Sequence, residues 1–540
     1  MSKDDENESR DMQLEAPLSR RELLKTAAVG AAGLAAASLV KPLPAFARNV
    51  PRGRSATQKG FRGTISMIPW AFYPNIKNPR MANHPTSANP FPEDTIVVLA
   101  NEWRRSHAGV DFHWIETSQA NSTYLTYMTT QITGGTEPDI FFWWPASDEF
   151  VKDHAQINLE PYLMRPDHYV PGNKRWWDLF SKGVRSPRWW NTPYGGIWGV
   201  PVDWFDTALM VNADVLDKVG VDPHNPWKTW ADMMDVLGRL QKKGYRTPFG
   251  GDALWSWWPQ GIIGDMIMPL SVFHDADYKH RGLGLGLDEE ESILAYWRGI
   301  WRTHAPWFVE YLKIMKEWSR FFPAGWYNQS FGNVNPTYFI KQEEVIDWTS
   351  AWSYTSVARN PLRKFAFAMT YFPPITRATT NLARPGAKAR SVGSPGDTFA
   401  VSVNARKSGA LEDVIDFLMF ITTPKNNGYL VGGQPYEVDL IPAVEGAPAR
   451  PAVALMEDIV KRGPVLQTIP WGASPESSSN MDQLFDAYIL GSATLPETLN
   501  KMQIQFKAGA EYSIKQNQSG KAGRKWDIAE WRHKWGAPKW

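Results

Sequence analysis

Acidic residues beside aromatic rings are the first candidates for chemistry in this chain. Asp203 and Asp206 flank Trp204 and Phe205. A pair of carboxylates is what hydrolysis of a glycosidic bond needs, one as acid and one as base or nucleophile. The same grouping also binds sugars without reaction, because a carboxylate accepts hydrogen bonds from hydroxyls and an aromatic face covers the apolar face of a pyranose. Other reactive patterns are missing. There is no Gly-x-Ser-x-Gly elbow and no glycine-rich phosphate loop ending in Lys-Ser/Thr. The ten histidines never fall at the i, i+4 spacing of a zinc helix. Gly282-Leu283-Gly284-Leu285-Gly286-Leu287 lacks the strand–turn–helix setting of a dinucleotide site. Without cysteine, disulfides, thiolate metal sites and thiol nucleophiles are excluded. No cofactor and no metal are expected.

The second chemical signal is tryptophan, 28 residues of it in 540. Many are clustered: Trp143-Trp144, Trp176-Trp177, Trp189-Trp190, Trp255 with Trp257 and Trp258, Trp348 with Trp352. A flat ring with one N–H donor suits a sugar or another amphipathic ligand, and it also suits a large core. At least half of these rings must simply pack. Trp230 reads as structural. Trp526, Trp531, Trp535 and Trp540 lie in a basic tail and are expected to dock onto the body of the protein.

The elements that must hold these groups follow from periodicity. Residues 64–68 alternate like a strand, and the aromatic loop 69–74 follows. Residues 95–106 carry Ile96, Leu99, Ala100 and Trp103 on one helical face. Residues 110–115 read as a strand. Residues 121–132 read as a helix with Leu125, Met128 and Ile132 aligned, stopped by Gly134-Gly135. Residues 139–142 read as a buried strand. Strand, helix, strand, helix, strand predicts an α/β unit with a mostly parallel sheet, whose ligands sit beyond the carboxyl ends of the strands. Trp70 and Trp143-Trp144 stand at those ends. Further on, Thr229 and Asp232 predict a capped helix with Met233, Val236, Leu237 and Leu240 inward. Residues 410–421 predict another amphipathic helix. Residues 274–335 read as helical with edges that periodicity does not place, and 74–93 as a long loop.

Length and charge bound the class. Residues 48–540 are too many for one core and predict two or more domains. A net charge of +2 argues against a nucleic-acid partner. Ser19-Arg20-Arg21-Glu22-Leu23-Leu24-Lys25 resembles a twin-arginine export motif. An apolar run at 26–40, too short to span a membrane, and Ala45-Phe46-Ala47 follow it. Residues 1–47 are therefore expected to be a signal peptide cleaved after Ala47, delivering a folded protein to the periplasm.

Seven segments in order resemble one family. They are Gly134-Gly135-Thr136-Glu137-Pro138-Asp139-Ile140-Phe141, the run Tyr194-Gly195-Gly196-Ile197-Trp198-Gly199-Val200-Pro201, and Leu209-Met210-Val211-Asn212-Ala213-Asp214-Val215-Leu216. Gly220 with Thr229-Trp230-Ala231-Asp232 follows, then Lys341-Gln342-Glu343-Glu344-Val345 leading to Trp352. Thr398-Phe399-Ala400-Val401-Ser402 with residues 413–421, and Leu440-Ile441-Pro442-Ala443, complete the set. Together, over roughly residues 60–515, they resemble the maltose-binding-protein-like solute-binding proteins (family 1) of ABC importers. Gln342 stands where that family has Gly, and Ile346 where it has Met.

The resemblance implies a type II periplasmic binding-protein fold: two α/β lobes, hinge strands and an interlobe cleft. It places 60–204 with 355–420 in the first lobe and 205–354 with 421–540 in the second. It implies a carbohydrate ligand, delivery to an ABC permease in the inner membrane, a monomer, and no catalysis. The cleft of such a fold would be lined by Trp70, Tyr73, Trp143, Trp144, Asp203, Trp204, Asp252, Trp255, Trp257, Trp258, Trp352 and Asp397. Two other functions stay open: binding of a non-sugar solute such as a peptide or organic cation, and a secreted glycan-active enzyme.

Overall fold

The computed structural model describes residues 61–72, 95–117, 121–143, 150–151, 154–190, 195–251, 258–279, 287–326, 337–358, 360–432, 440–448, 453–465, 474–518 and 526–540. The expected signal peptide, the loop at 74–93, and Tyr73, Trp144, Asp252, Trp255 and Trp257 lie outside the described residues, as does the side chain of Trp352. The strands in chain order are β1 (Gly63–Met67), β2 (Val110–Trp114), β3 (Ile140–Phe142), β4 (Val200–Pro201), β5 (Asp203–Phe205), β6 (Thr207–Asn212), β7 (Phe249–Gly250), β8 (Ile346–Ser350), β9 (Phe367–Thr370), β10 (Ser394–Pro395), β11 (Thr398–Val401) and β12 (Ile441–Pro442).

Among the described residues they form three sheets. The first has the order β2-β1-β3-β11-β4. β1 runs parallel to β2 and β3, and β11 enters antiparallel between β3 and β4. The strand–helix alternation read from sequence is present, with helices Thr95–Arg104 and Asn121–Gly134 as the crossovers. β3 is buried at all three positions, which its unbroken apolar sequence Ile-Phe-Phe requires. β2 is an edge strand and keeps Asp111 and His113 in solvent, and the Asp111 charge discourages further pairing. Gly135, at φ 66°, provides the left-handed residue that ends the second crossover.

The second sheet, β7-β8-β6-β9, organises a separate core. β6 lies at its centre, antiparallel to both β8 and β9, and is buried along its whole length. The helix Trp230–Lys242 packs Met233, Val236, Leu237 and Leu240 against this core. Its start is the capping box foreseen: Asp232 N–H donates to Thr229 Oγ1 at 3.2 Å, and Thr229 N–H donates to Asp232 Oδ2 at 2.9 Å. Trp230 is buried edge-on to Trp318 at 5.2 Å, the packing role expected of it. Within 274–335 the helices Glu289–Trp297 and Pro306–Trp318 supply the edges periodicity left open.

The third sheet joins the two cores. β5 sits between β10 and β12, antiparallel to both. Chain connectivity runs through it: β4 of the first sheet leads into β5 and then β6 of the second, while β10 leads back into β11.

On the return path the chain alternates between the two cores. Phe372, Ile375, Ala389 and Val392 pack in the second core, and Leu430, Ile441, Val444 and Met456 in the first. The reason is β9, which pairs with β6 and keeps the chain in the second sheet past residue 355. The chain then stays with the first core until Met456, beyond residue 421.

The tail docks as expected. Trp526 and Trp531 stack at 5.6 Å and are buried, Trp535 meets Tyr278 edge-on at 5.7 Å, and Trp540 stacks on Tyr296 at 5.4 Å.

Candidate ligand site

Trp70 is the second residue of the turn 69–72 that follows β1. Its φ of 50° is left-handed, where a large side chain is disfavoured by roughly 1 kcal/mol or more, so its surroundings must hold it there. They do: the indole stacks on Phe142 at 4.1 Å with an interplanar angle of 6° and meets the Tyr124 ring at 4.7 Å. Tyr124 is itself fixed, its hydroxyl donating to the Phe142 carbonyl at 2.5 Å. Burial pushes that phenol well above its usual pKa, so it acts as a neutral donor. Trp70 remains half-buried, an aromatic group held at the end of the parallel strands.

Trp143 follows β3 directly and donates its backbone N–H to the Thr398 carbonyl at 2.8 Å. Its ring is buried near Trp190, at 6.3 Å, and over Gly199, where a Cβ would lie 3.0 Å from the ring and 2.5 Å from Thr398 Cγ2. Trp204 in β5 is also buried, edge-on to Trp189 at 6.0 Å. Gly393 passes so close that a Cβ there would stand 2.0 Å from the Phe205 carbonyl and 2.5 Å from Trp204 Nε1. Neither ring offers an open face in this conformation. Both indole N–H groups are buried without a partner, an omission that costs about 1–3 kcal/mol each.

The carboxylates meet at the same crossing. Asp397 N–H donates to Asp203 Oδ1 at 3.0 Å. Both side chains are buried, and each keeps its Oδ2 without a hydrogen-bond partner. Burial raises the pKa of both, and for Asp203 the neighbouring Asp397 adds repulsion. The Ala71 backbone N–H opposes the rise at Asp397, which ties the turn after Trp70 to this pair. Asp206 lies one step along the crossing. Burial pushes it to about 7 against hydrogen bonds from Ser391, Thr207, Val392 and Gly393.

Trp258, first residue of the helix Trp258–Ile267, is buried on the other side of the crossing, 6.0 Å from Phe205 and 6.2 Å from Trp348. Trp352 lies in the helix Ala351–Ala358, whose first residue donates its N–H to the Asp206 carbonyl at 2.9 Å. The fold therefore brings Trp70, Trp143, Asp203, Trp204 and Asp397 together, with Trp258 across Phe205 from them. Sequence reasoning missed Phe142 and Tyr124, which hold Trp70. The available signal was Tyr124 one helical turn before Met128 on the inward face.

Two mixed α/β cores joined by short crossing strands, with aromatic and acidic groups at strand ends and crossing, define the two-lobed type II periplasmic binding-protein fold. The chain belongs to the bacterial extracellular solute-binding proteins, whose family profile matches residues 92–428. Solved structures share the fold over most of the chain. An ABC substrate-binding protein from Listeria monocytogenes in complex with cycloalternan is 14% identical, with a TM-score of 0.54, 83% of this chain and 99% of that one covered. The solute-binding protein RafE in complex with raffinose is 13% identical, with a TM-score of 0.52, covering 83% and 100%. A structure from work on xylan utilization by Caldanaerobius polysaccharolyticus is 17% identical, with a TM-score of 0.53, covering 82% and 99%. The sequence matches no curated protein significantly. Among the described residues no helix is long and apolar enough to cross a membrane, and no group of three or more acidic or histidine side chains is placed to hold a metal.

Proposed function

We propose that the protein captures a carbohydrate, an oligosaccharide or glycoside, between its lobes and delivers it to the permease of an ABC importer without catalysing a reaction. One observation carries this reading. Where the two cores meet, Asp203 and Asp397 each hold a carboxylate oxygen that no described group uses, on the same strands and turns that carry Trp70, Trp143 and Trp204. Opening about the crossing strands would uncover such acceptors, and sugar hydroxyls would satisfy them, each hydrogen bond contributing about 0.5–1.5 kcal/mol and more where the acceptor is charged. Tyr73, Trp144, Asp252, Trp255, Trp257, Trp258 and Trp352 complete the proposed cleft. The sugars bound by the cycloalternan and raffinose complexes support the ligand class.

The proposed lobes are about 61–204 with 394–456, and 205–392 with 457–540, a division that core membership supports. Export by the twin-arginine route to the periplasm, cleavage after Ala47 and a monomeric state complete the proposal. A second reading has its own support, since two carboxylates among aromatic rings also suit an organic cation.

A thermal-shift screen over mono- and oligosaccharides and cationic solutes tests both. A ligand bound only by the native state raises Tm. We expect oligosaccharides to do so, with no products on prolonged incubation. A response to cationic solutes alone would replace the ligand class, and turnover of the sugar would make the protein an enzyme.

A further inference from the structure

From residue 348 to residue 396 the chain carries no carboxylate but seven basic residues: Arg359, Arg363, Lys364, Arg377, Arg384, Lys388 and Arg390. Such a run within a nearly neutral protein needs either solvent or an anion. The fold gathers part of it. Arg384, Lys388 and Arg390 line a cavity of about 290 Å³ together with Arg462, which arrives from the end of the helix Ala454–Lys461. Leu270 and the turn 385–387 complete the described wall, and among the described residues no carboxylate lines the cavity.

The walls are built rather than adventitious. Arg384 N–H donates to the Met266 carbonyl at 2.9 Å and its guanidinium donates to the Asp265 carbonyl, so the residue closes the end of the helix Trp258–Ile267. Arg462 Nη1 donates to the Ala389 carbonyl at 3.0 Å. Ser391 exchanges backbone hydrogen bonds with Gly463 and Val465, at 3.1 and 2.8 Å. The Arg390 carbonyl accepts from the Tyr371 hydroxyl at 2.9 Å.

The charges do not balance. Asp265, fully buried behind the cavity, pairs with Arg390 Nε at 3.3 Å and lies 3.9 Å from Arg384 Nη2. One carboxylate thus serves two guanidiniums, with Lys388 and Arg462 added at the rim. Arg384 Nε is buried with no hydrogen-bond partner. Burial lowers the pKa of Arg384, Asp265 opposes this, and the crowding Arg390 lowers it further. A tetrahedral oxyanion answers each feature. It brings two negative charges, several acceptors matched to forked guanidinium donors, and a size suited to a cavity at the small end of the ligand range.

We propose that Arg384, Lys388, Arg390 and Arg462 form a second binding site, separate from the sugar cleft, that takes a phosphate group, either free or carried on a lipid headgroup. The site is independent of the carbohydrate reading, because none of its residues belongs to the crossing.

Inorganic phosphate is the probe, titrated into the full-length protein by calorimetry and thermal shift, with chloride matched in ionic strength. The expected result is saturable phosphate binding that chloride does not reproduce, weakened at least tenfold in Lys388→Gln and in Arg390→Gln. Sugar-induced stabilisation should persist in both variants. Arg390→Gln leaves Asp265 with one ion-pair partner fewer, so if it melts early Lys388→Gln alone decides. Co-sedimentation with phosphatidic acid vesicles, against pure phosphatidylcholine, distinguishes the sources: pelleting that depends on Lys388 assigns the headgroup, and none assigns soluble phosphate. A phosphate response equal to that of chloride, or wild-type affinity in Lys388→Gln, would overturn the site.

Discussion

Asp203, Asp206 and Asp397 have been withdrawn from water at the crossing, and burial favours their neutral forms. For Asp206 the folded value is about 7 against an ordinary 3.8. The native state therefore keeps a proton that the unfolded chain releases from about pH 4 upward. Its contribution to stability is complete below that range and is lost as pH rises through 7. Asp206→Asn removes the titration. Its Tm should exceed that of the wild type by about 2–4 °C at pH 8, and the gap should close near pH 4 in a melting series. Trp70 belongs to the same scale. Trp70→Ala should lower the affinity for the best sugar tenfold or more by calorimetry while the far-ultraviolet spectrum stays that of the wild type; unchanged affinity would remove Trp70 from the site.

The elements were partly legible and partly not. The helix at Trp230–Lys242 was, because its cap and its stripe are local: Thr229 and Asp232 bond each other, and four apolar residues share one face. Thr229→Ala should cost about 1 kcal/mol and lower Tm by about 2 °C in a thermal scan. The crossing strands were not legible as a sheet. β5, β10 and β12 are two or three residues each, too short for a periodicity, and they pair across nearly 190 and 240 positions of sequence. What fixes them is close approach. Gly396 stands where a Cβ would lie 1.9 Å from Asp203 Oδ1, and Gly393 where one would lie 2.0 Å from the Phe205 carbonyl. Backbone and a buried pair give no room, so Gly393→Ala should destabilise by about 3 kcal/mol or more, read as a lower denaturant midpoint.

At the scale of the molecule, the two cores and their crossing make a hinge, and the tail belongs to one core only. Trp540 and Trp531 cover Trp297, whose Nε1 donates to the Gly536 carbonyl at 3.1 Å. Removing residues 526–540 should expose this aromatic face and lower Tm by more than about 5 °C, yet leave sugar affinity within twofold by calorimetry. A larger loss of affinity would place the tail in the binding cycle.

Composition and local pattern determined much by themselves. The parallel strand–helix alternation of 63–142 was readable because period and punctuation are properties of neighbouring residues. Seven short motifs in order gave the family and its fold. The use of each tryptophan was decided only in three dimensions. Trp143 follows a strand and Trp204 stands beside an acidic residue, placements that suggest open platforms, yet Gly199 and Gly393 let other backbone close over them. Trp70 is legible as a strand-end aromatic, but that Phe142 and Tyr124 hold it in a strained conformation there is not. Burial depends on which distant segments arrive, and no window of sequence contains those segments together.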